Sequence, residues 1–196
     1  DCQYIGMQQL VDAVRSTGAK NIIMVGGLEY ANNLTGWLAN QQTDPTGNLV
    51  ASWHVYPVGN RCNTPSCYDQ EAAPVAAKVP LIVGEFGESF DDSSCSVEKT
   101  NILLDWLNNH KASYLGWTWD TWGTSCGNLS LITNYNGTPH APNGTNLKDH
   151  LAKFNWQNNP LPLIGSPTPT FFPTFFPTIT LPITFPSTSF PTATKT

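Results

Sequence analysis

In the stretch PLIVGEFGES, residues 80–89, an apolar run passes straight into Gly84-Glu85-Phe86-Gly87. A carboxylate beside a buried strand is costly unless a partner or a reaction uses it. Three other apolar runs end in comparable company: Gly26-Gly27-Leu28-Glu29-Tyr30, Trp53-His54-Val55-Tyr56 and Trp117-Thr118-Trp119-Asp120. Side chains alternate along a strand, so His54 and Tyr56 share one side. A carboxylate, an imidazole, a phenol and indoles on one rim suit sugar chemistry, because indole faces stack on pyranose rings while polar groups orient a nucleophilic carboxylate. Taken singly, His54 reads as a satisfied core histidine and Tyr56 as packing. Their placement on successive strand ends is what makes them candidates. Trp117, Trp119 and Trp122 are the candidate substrate contacts. Glu29 reads as a solvent-facing loop residue and Asp120 as a weaker acid still.

The elements that must position these residues follow from periodicity. Residues 4–16 place Ile5, Leu10, Val11 and Val14 on one helical face, and Gly18 follows as a stop. Residues 21–27, 49–57, 79–87 and 112–123 read as strands, the first of them a short apolar run suited to a buried parallel sheet. Helices are expected at 68–79, at 96–110 with Ser96 as N-cap, and at 146–154. Regular alternation of this kind implies a parallel sheet with right-handed crossovers. In a (β/α)8 barrel the residues just past the strand ends face the active site. Four strands make half of such a barrel.

Composition narrows the function classes. The chain has 196 residues and a formal net charge of −5, with no basic run, which argues against nucleic-acid binding. No stretch approaches the roughly 20 unbroken apolar residues of a membrane span. His54, His110, His140 and His150 form no ligand-spaced cluster, so neither a metal nor another cofactor is expected. A nucleotide-binding reading of the paired glycines at 26–27 is weak, since no Gly-x-Gly-x-x-Gly follows.

Five cysteines leave at least one without an internal partner. Cys62 and Cys67 bracket a short turn and are expected to pair, Cys95 and Cys126 next, with Cys2 left over. Disulfides favour a secreted protein. Four Asn-x-Ser/Thr sequons stand at Asn33, Asn128, Asn136 and Asn143. Asp1-Cys2-Gln3 lacks a basic start and an apolar segment, so either a leader has been removed or the chain begins inside a longer protein. From Ser166 to Thr196 the composition shifts to proline and threonine, with one charge, Lys195. Proline about every fourth residue excludes helix and central strand, leaving a disordered linker or tail at 166–196 after a folded part at 1–165. A further module beyond that tail is compatible with its composition.

WHVYP, LIVGEFGE and YLGWTWDTWG resemble strands six, seven and eight of glycoside hydrolase family 5, the retaining cellulase-type (β/α)8 enzymes. The likeness covers residues 4 to about 155. It implies a TIM barrel of which this chain supplies strands five to eight with their helices. It also implies Glu85 as nucleophile, His54 and Tyr56 as the pair at the end of strand six, and Trp117 as a sugar platform. The implied substrate is a β-glucan, cleaved with retention. One departure is plain: the family's acid/base is the glutamate of an Asn-Glu-Pro motif, and no Asn-Glu pair occurs in this chain. The N-terminal half of the barrel is then a missing partner, and so is the upstream cysteine that Cys2 would need. The competing reading is a non-catalytic carbohydrate-binding or cell-wall module that uses the aromatic rim. Glu85 separates the two, because a binding module needs no cleft carboxylate.

Overall fold

The structure is a computed structural model that describes residues 5–57, 61–88, 95–123, 125 and 129–153. Cys2, Cys126, Asn128 and the segment 166–196 lie outside the described residues. Four strands, β1 (Ile23–Gly26), β2 (Leu49–Val55), β3 (Leu81–Phe86) and β4 (Ser113–Gly116), form one sheet in the order β1-β2-β3-β4. Every pairing is parallel. The expected sheet is present, with β4 ending at Gly116, short of the expected 123. Beyond it the chain leaves the ladder through the cis peptide Trp117–Thr118.

Helices cover one face. The helix Glu98–Asn109 buries Leu103, Leu104, Trp106 and Leu107 against Trp53, Val55, Val83 and Phe86. Ser96 does not occupy its N-cap, which is Val97. Its hydroxyl still accepts the Glu98 N–H at 3.1 Å. Glu88, itself buried, accepts the Thr100 N–H at 2.9 Å, so a carboxylate meets the positive end of the helix dipole. The helical segment expected at 68–79 starts earlier, running through Pro65–Cys67, a π turn at Tyr68–Ala72 and Ala73–Ala76. Pro74 accounts for the widened turn, because it has no N–H and its ring collides with the carbonyl four residues back. Trp53, Tyr68 and Trp106 meet edge to face, with centroids 5.3, 6.0 and 5.6 Å apart, and His110 stacks on Trp106 at 3.9 Å. Their indole N–H groups are satisfied by Asn32 O (from Trp53) and Asp69 Oδ1 (from Trp106).

The first helix, Met7–Ser16, lies within the expected span but starts later than residue 4. Its apolar stripe exists, but only Val11 is buried, and Ile5, Met7, Leu10 and Val14 are exposed. Periodicity shows that a face is apolar, not what it meets. A bidentate pair ties this helix down: Arg15 Nε and Nη2 donate to Asp44 Oδ1 and Oδ2 at 2.7 and 2.9 Å. Asp44 also accepts the Thr46 and Asn48 N–H groups. The Arg15 hydrogen bonds hold the Asp44 carboxyl well below the ordinary aspartate range. A group whose folded pKa is depressed stabilises the fold above its unfolded pKa, here about 3.9, and that contribution fades as pH falls through and below that value. Asp44→Asn is therefore expected to lower the melting temperature most at neutral pH and by progressively less as pH falls below about 4, as read by thermal unfolding across pH.

Candidate active site

The site begins with an irregularity in β3. Trp53 of β2 pairs with Val83, but His54 pairs with Glu85, so Gly84 is passed over. On the other side Val83 pairs with Tyr114 and Phe86 with Gly116, the same one-residue excess. Leu81 and Val83 point into the core, and strict alternation would send Glu85 after them. The bulge gives that core position to Phe86, which is buried, and turns Glu85 to the opposite face. Gly84 makes this possible by close approach. A Cβ there would lie 3.0 Å from Ser52 Oγ and 3.1 Å from His54 Nε2.

On that face Tyr56 O–H donates to Glu85 Oε2 at 2.7 Å, and His54 Nδ1 stands 3.5 Å from the same oxygen. The His54 and Glu85 side chains are each 27% exposed, half-sheltered but reachable. Among the described residues no hydrogen bond reaches Glu85 Oε1. One oxygen is held and the other keeps its lone pairs free of hydrogen bonds from the described residues, as an attacking carboxylate requires. Burial, and then the Glu85 carboxylate, push the Tyr56 phenol well above the ordinary tyrosine value, so it stays protonated and remains a donor.

These three residues line a cavity of about 340 Å³ together with Glu29, Tyr30, Asn32 and Arg61. Glu29 accepts from Asn33 Nδ2 at 3.1 Å and from Arg61 Nε at 3.0 Å. The Asn33 bond and then Arg61 hold its carboxyl below the ordinary glutamate value. An ionised, paired glutamate is poorly suited to give a proton away. Asp120 is also engaged, accepting from the Thr121 N–H at 2.6 Å and the Tyr135 O–H at 2.9 Å.

The tryptophans sit elsewhere. Trp117 N–H donates to Phe86 O at 2.9 Å, which stitches the start of its segment beside the end of β3, and its ring meets Trp122 edge to face. Trp119 and Trp122 are exposed. Trp119 lines a separate, apolar cavity of about 440 Å³ with Tyr114, Leu115, Leu131, Leu147 and Leu151. None of the three lines the cavity that holds Glu85.

Cys62 and Cys67 are joined, as their spacing suggests, with Cα atoms 5.4 Å apart. Cys95 is also disulfide-bonded; the partner expected for it, Cys126, lies outside the described residues. The cluster Cys62, Cys67 and Glu71 has its sulfurs tied up in the disulfide, which removes them as metal ligands.

Asn32 and Arg61 escaped sequence reasoning, and Tyr30 was marked only by its place after a strand end. Arg61 had a signal in its neighbour Cys62, which fixes the loop carrying it. The turn Glu29–Ala31 had none, since all three residues take positive φ, at 53°, 55° and 64°, without a glycine among them.

The cellulase family, glycosyl hydrolase family 5, matches residues 6–123. Among solved structures, a β-glucanase from Saccharophagus degradans superimposes with a TM-score of 0.60 at 16% identity, over 74% of this chain and 45% of that one. It has also been solved with cellotetraose. A hyperthermophilic endocellulase from Pyrococcus horikoshii gives 0.59 at 20% identity, over 72% and 46%. A Thermomonospora fusca β-mannanase in complex with mannotriose gives 0.53 at 27% identity, over 70% and 45%. This chain thus spans less than half the length of these structures. No curated protein matches.

Proposed function

The chain belongs to the cellulase family, glycosyl hydrolase family 5, and on that premise we propose that it carries the nucleophile side of a retaining β-1,4-glucanase site. The observation that carries the reading is the doubly attended oxygen of Glu85, with Tyr56 O–H at 2.7 Å and His54 Nδ1 at 3.5 Å. Glu85 Oε1 attacks the anomeric carbon, the glycosidic C–O bond breaks, and a covalent glycosyl–Glu85 ester forms. Water then displaces the sugar with overall retention. Tyr56 keeps the carboxylate aimed, and His54 orders the same oxygen from the strand side.

The second carboxyl of such a site stands roughly 5–5.5 Å from the nucleophile and protonates the departing oxygen. With Glu29 paired to Arg61 and Asn33, that acid is assigned to residues outside this chain. The four strands accordingly read as the second half of an eight-stranded barrel, and the composition from Ser166 onward reads as a Pro/Thr-rich linker. Trp117, just past β4 and outside the cavity that holds Glu85, is the sugar platform that the family likeness implies, with Trp119 and Trp122 as outer contacts. The oxidised cysteines favour secretion.

Incubation with a dinitrophenyl 2-deoxy-2-fluoro-β-cellobioside tests the reading, because dinitrophenolate leaves without a proton and the fluorine slows hydrolysis of the ester. Intact mass is expected to show one added fluorocellobiosyl group. Tyr56→Phe is expected to slow its formation about 10- to 10²-fold with little loss of stability, because the carboxylate loses its aim rather than its charge. The exposed Trp119 and Trp122 favour a binding module as the second reading. Retained binding to β-glucan with no adduct would select it.

A further inference from the structure

Apart from Glu85, every residue lining the cleft is carried by something that touches one amide. Glu29 and Tyr30 precede Asn32 in the chain, His54 and Tyr56 sit at the end of β2, and Arg61 adjoins Cys62. Asn32, 3% exposed, donates from Nδ2 to His54 O at 2.9 Å and to Cys62 O at 3.4 Å, and accepts the Cys62 N–H on Oδ1 at 3.1 Å. Its backbone carbonyl accepts Trp53 Nε1–H at 3.0 Å, and its own N–H donates to Glu29 O at 3.0 Å. Five bonds at one residue join three separate segments.

The turn it closes is conformationally costly. Left-handed φ brings the Cβ of an ordinary L-residue too close to the following carbonyl, and Glu29, Tyr30 and Ala31 adopt it in succession. The paired bonds between Leu28 and Asn33, at 3.0 Å each way, clamp its ends. Gly27 admits the clamp, since a Cβ there would stand 2.2 Å from Asn33 O. Such a conformation persists only where the surroundings over-determine it, and observed strain of this kind gathers at functional sites.

We propose that Asn32 is the positioning residue of this cleft, its buried amide setting the end of β2 and the Cys62 loop in register with the 29–31 turn and so fixing Tyr56 and His54 against Glu85. It does not touch the reacting atoms. Its effect on rate rests on the nucleophile reading above, whereas its effect on Tyr56 does not.

Asn32→Ala removes all three side-chain bonds without adding a charge, and Asn32→Ser is the milder variant should alanine not fold. Thermal unfolding first establishes that the variant is folded. With tyrosine labelled at the ring carbon bearing the hydroxyl, and Tyr56→Phe to assign the line, the Tyr56 signal of the parent protein is expected to stay unmoved to about pH 11, above the ordinary tyrosine value of about 10. In the folded variant it is expected to titrate toward that ordinary value as the phenol leaves Glu85. Adduct formation with the fluorocellobioside is expected to fall about 10- to 10²-fold through the first-order step, with half-saturation changed far less. A folded variant whose Tyr56 line matches the parent overturns the assignment whatever its labelling rate, and so does the failure of both variants to fold, which would make Asn32 a purely structural residue. A parent protein that takes no label removes the nucleophile reading and leaves the Tyr56 line to decide Asn32.

Discussion

Glu85→Ala is expected to abolish the fluorocellobiosyl adduct and to cut release of dinitrophenolate from unfluorinated dinitrophenyl β-cellobioside by more than about 10⁴-fold, on the scale of losing a covalent nucleophile. The fold should survive. The side chain is part-exposed, sits on the face away from the core and leaves only Tyr56 and His54 without a partner. The variant also opens a space the size of a small anion on the attacking face. Added azide is expected to restore release and to give a glycosyl azide of inverted configuration, because the anion attacks from the side that Glu85 used. A variant that still takes one label, or azide product of retained configuration, would show that another group attacks.

Gly84→Ala is expected to separate activity from stability. The new Cβ would stand 3.0 Å from Ser52 Oγ and 3.1 and 3.3 Å from His54 Nε2 and Cδ2, tighter than ordinary contact. The imidazole is the neighbour able to move, and moving it disturbs the group 3.5 Å from Glu85. A displacement of this order is expected to cost about 10²-fold in adduct formation. Stability should change little, because replacing glycine in a strand recovers roughly 0.5–1 kcal/mol of chain entropy against the crowding. Ser52→Ala on top of Gly84→Ala would relieve one of the two clashes and is expected to restore little. An unchanged labelling rate, or a rate restored by the second substitution, would show that the bulge glycine does not serve His54.

Strand spacing, the His54-x-Tyr56 pair and the glycine-bracketed carboxylate were legible because each follows a short repeat and sits at a chain position that composition marks. Alternation placed His54 and Tyr56 correctly. The same rule applied to β3 would have buried Glu85 beside Leu81 and Val83, and an isolated glycine in a strand is the mark of the bulge that prevents this. The Glu29–Ala31 turn was illegible for the opposite reason: its residues carry no preference for the conformation, which is imposed by bonds to Asn33 and Asn32. Asn32 itself is one of two adjacent asparagines after a turn, and nothing local separates the buried one from Asn33. The stripe on Met7–Ser16 was legible as a stripe, and its exposure was not, since periodicity carries no information about partners.

The edge-to-face indoles of Trp53 and Trp106, with planes 66° apart, have an optical consequence. Transition dipoles at 6.0 Å and oblique to one another couple, and the coupling gives a signed near-ultraviolet circular dichroism couplet that vanishes when the rings turn freely. Both rings belong to the buried core cluster, so the couplet reports the packing of that core. Substitutions at Glu85, Tyr56 or Gly84 that preserve it have left the scaffold intact, and a dilute sample in a cuvette is enough to say so.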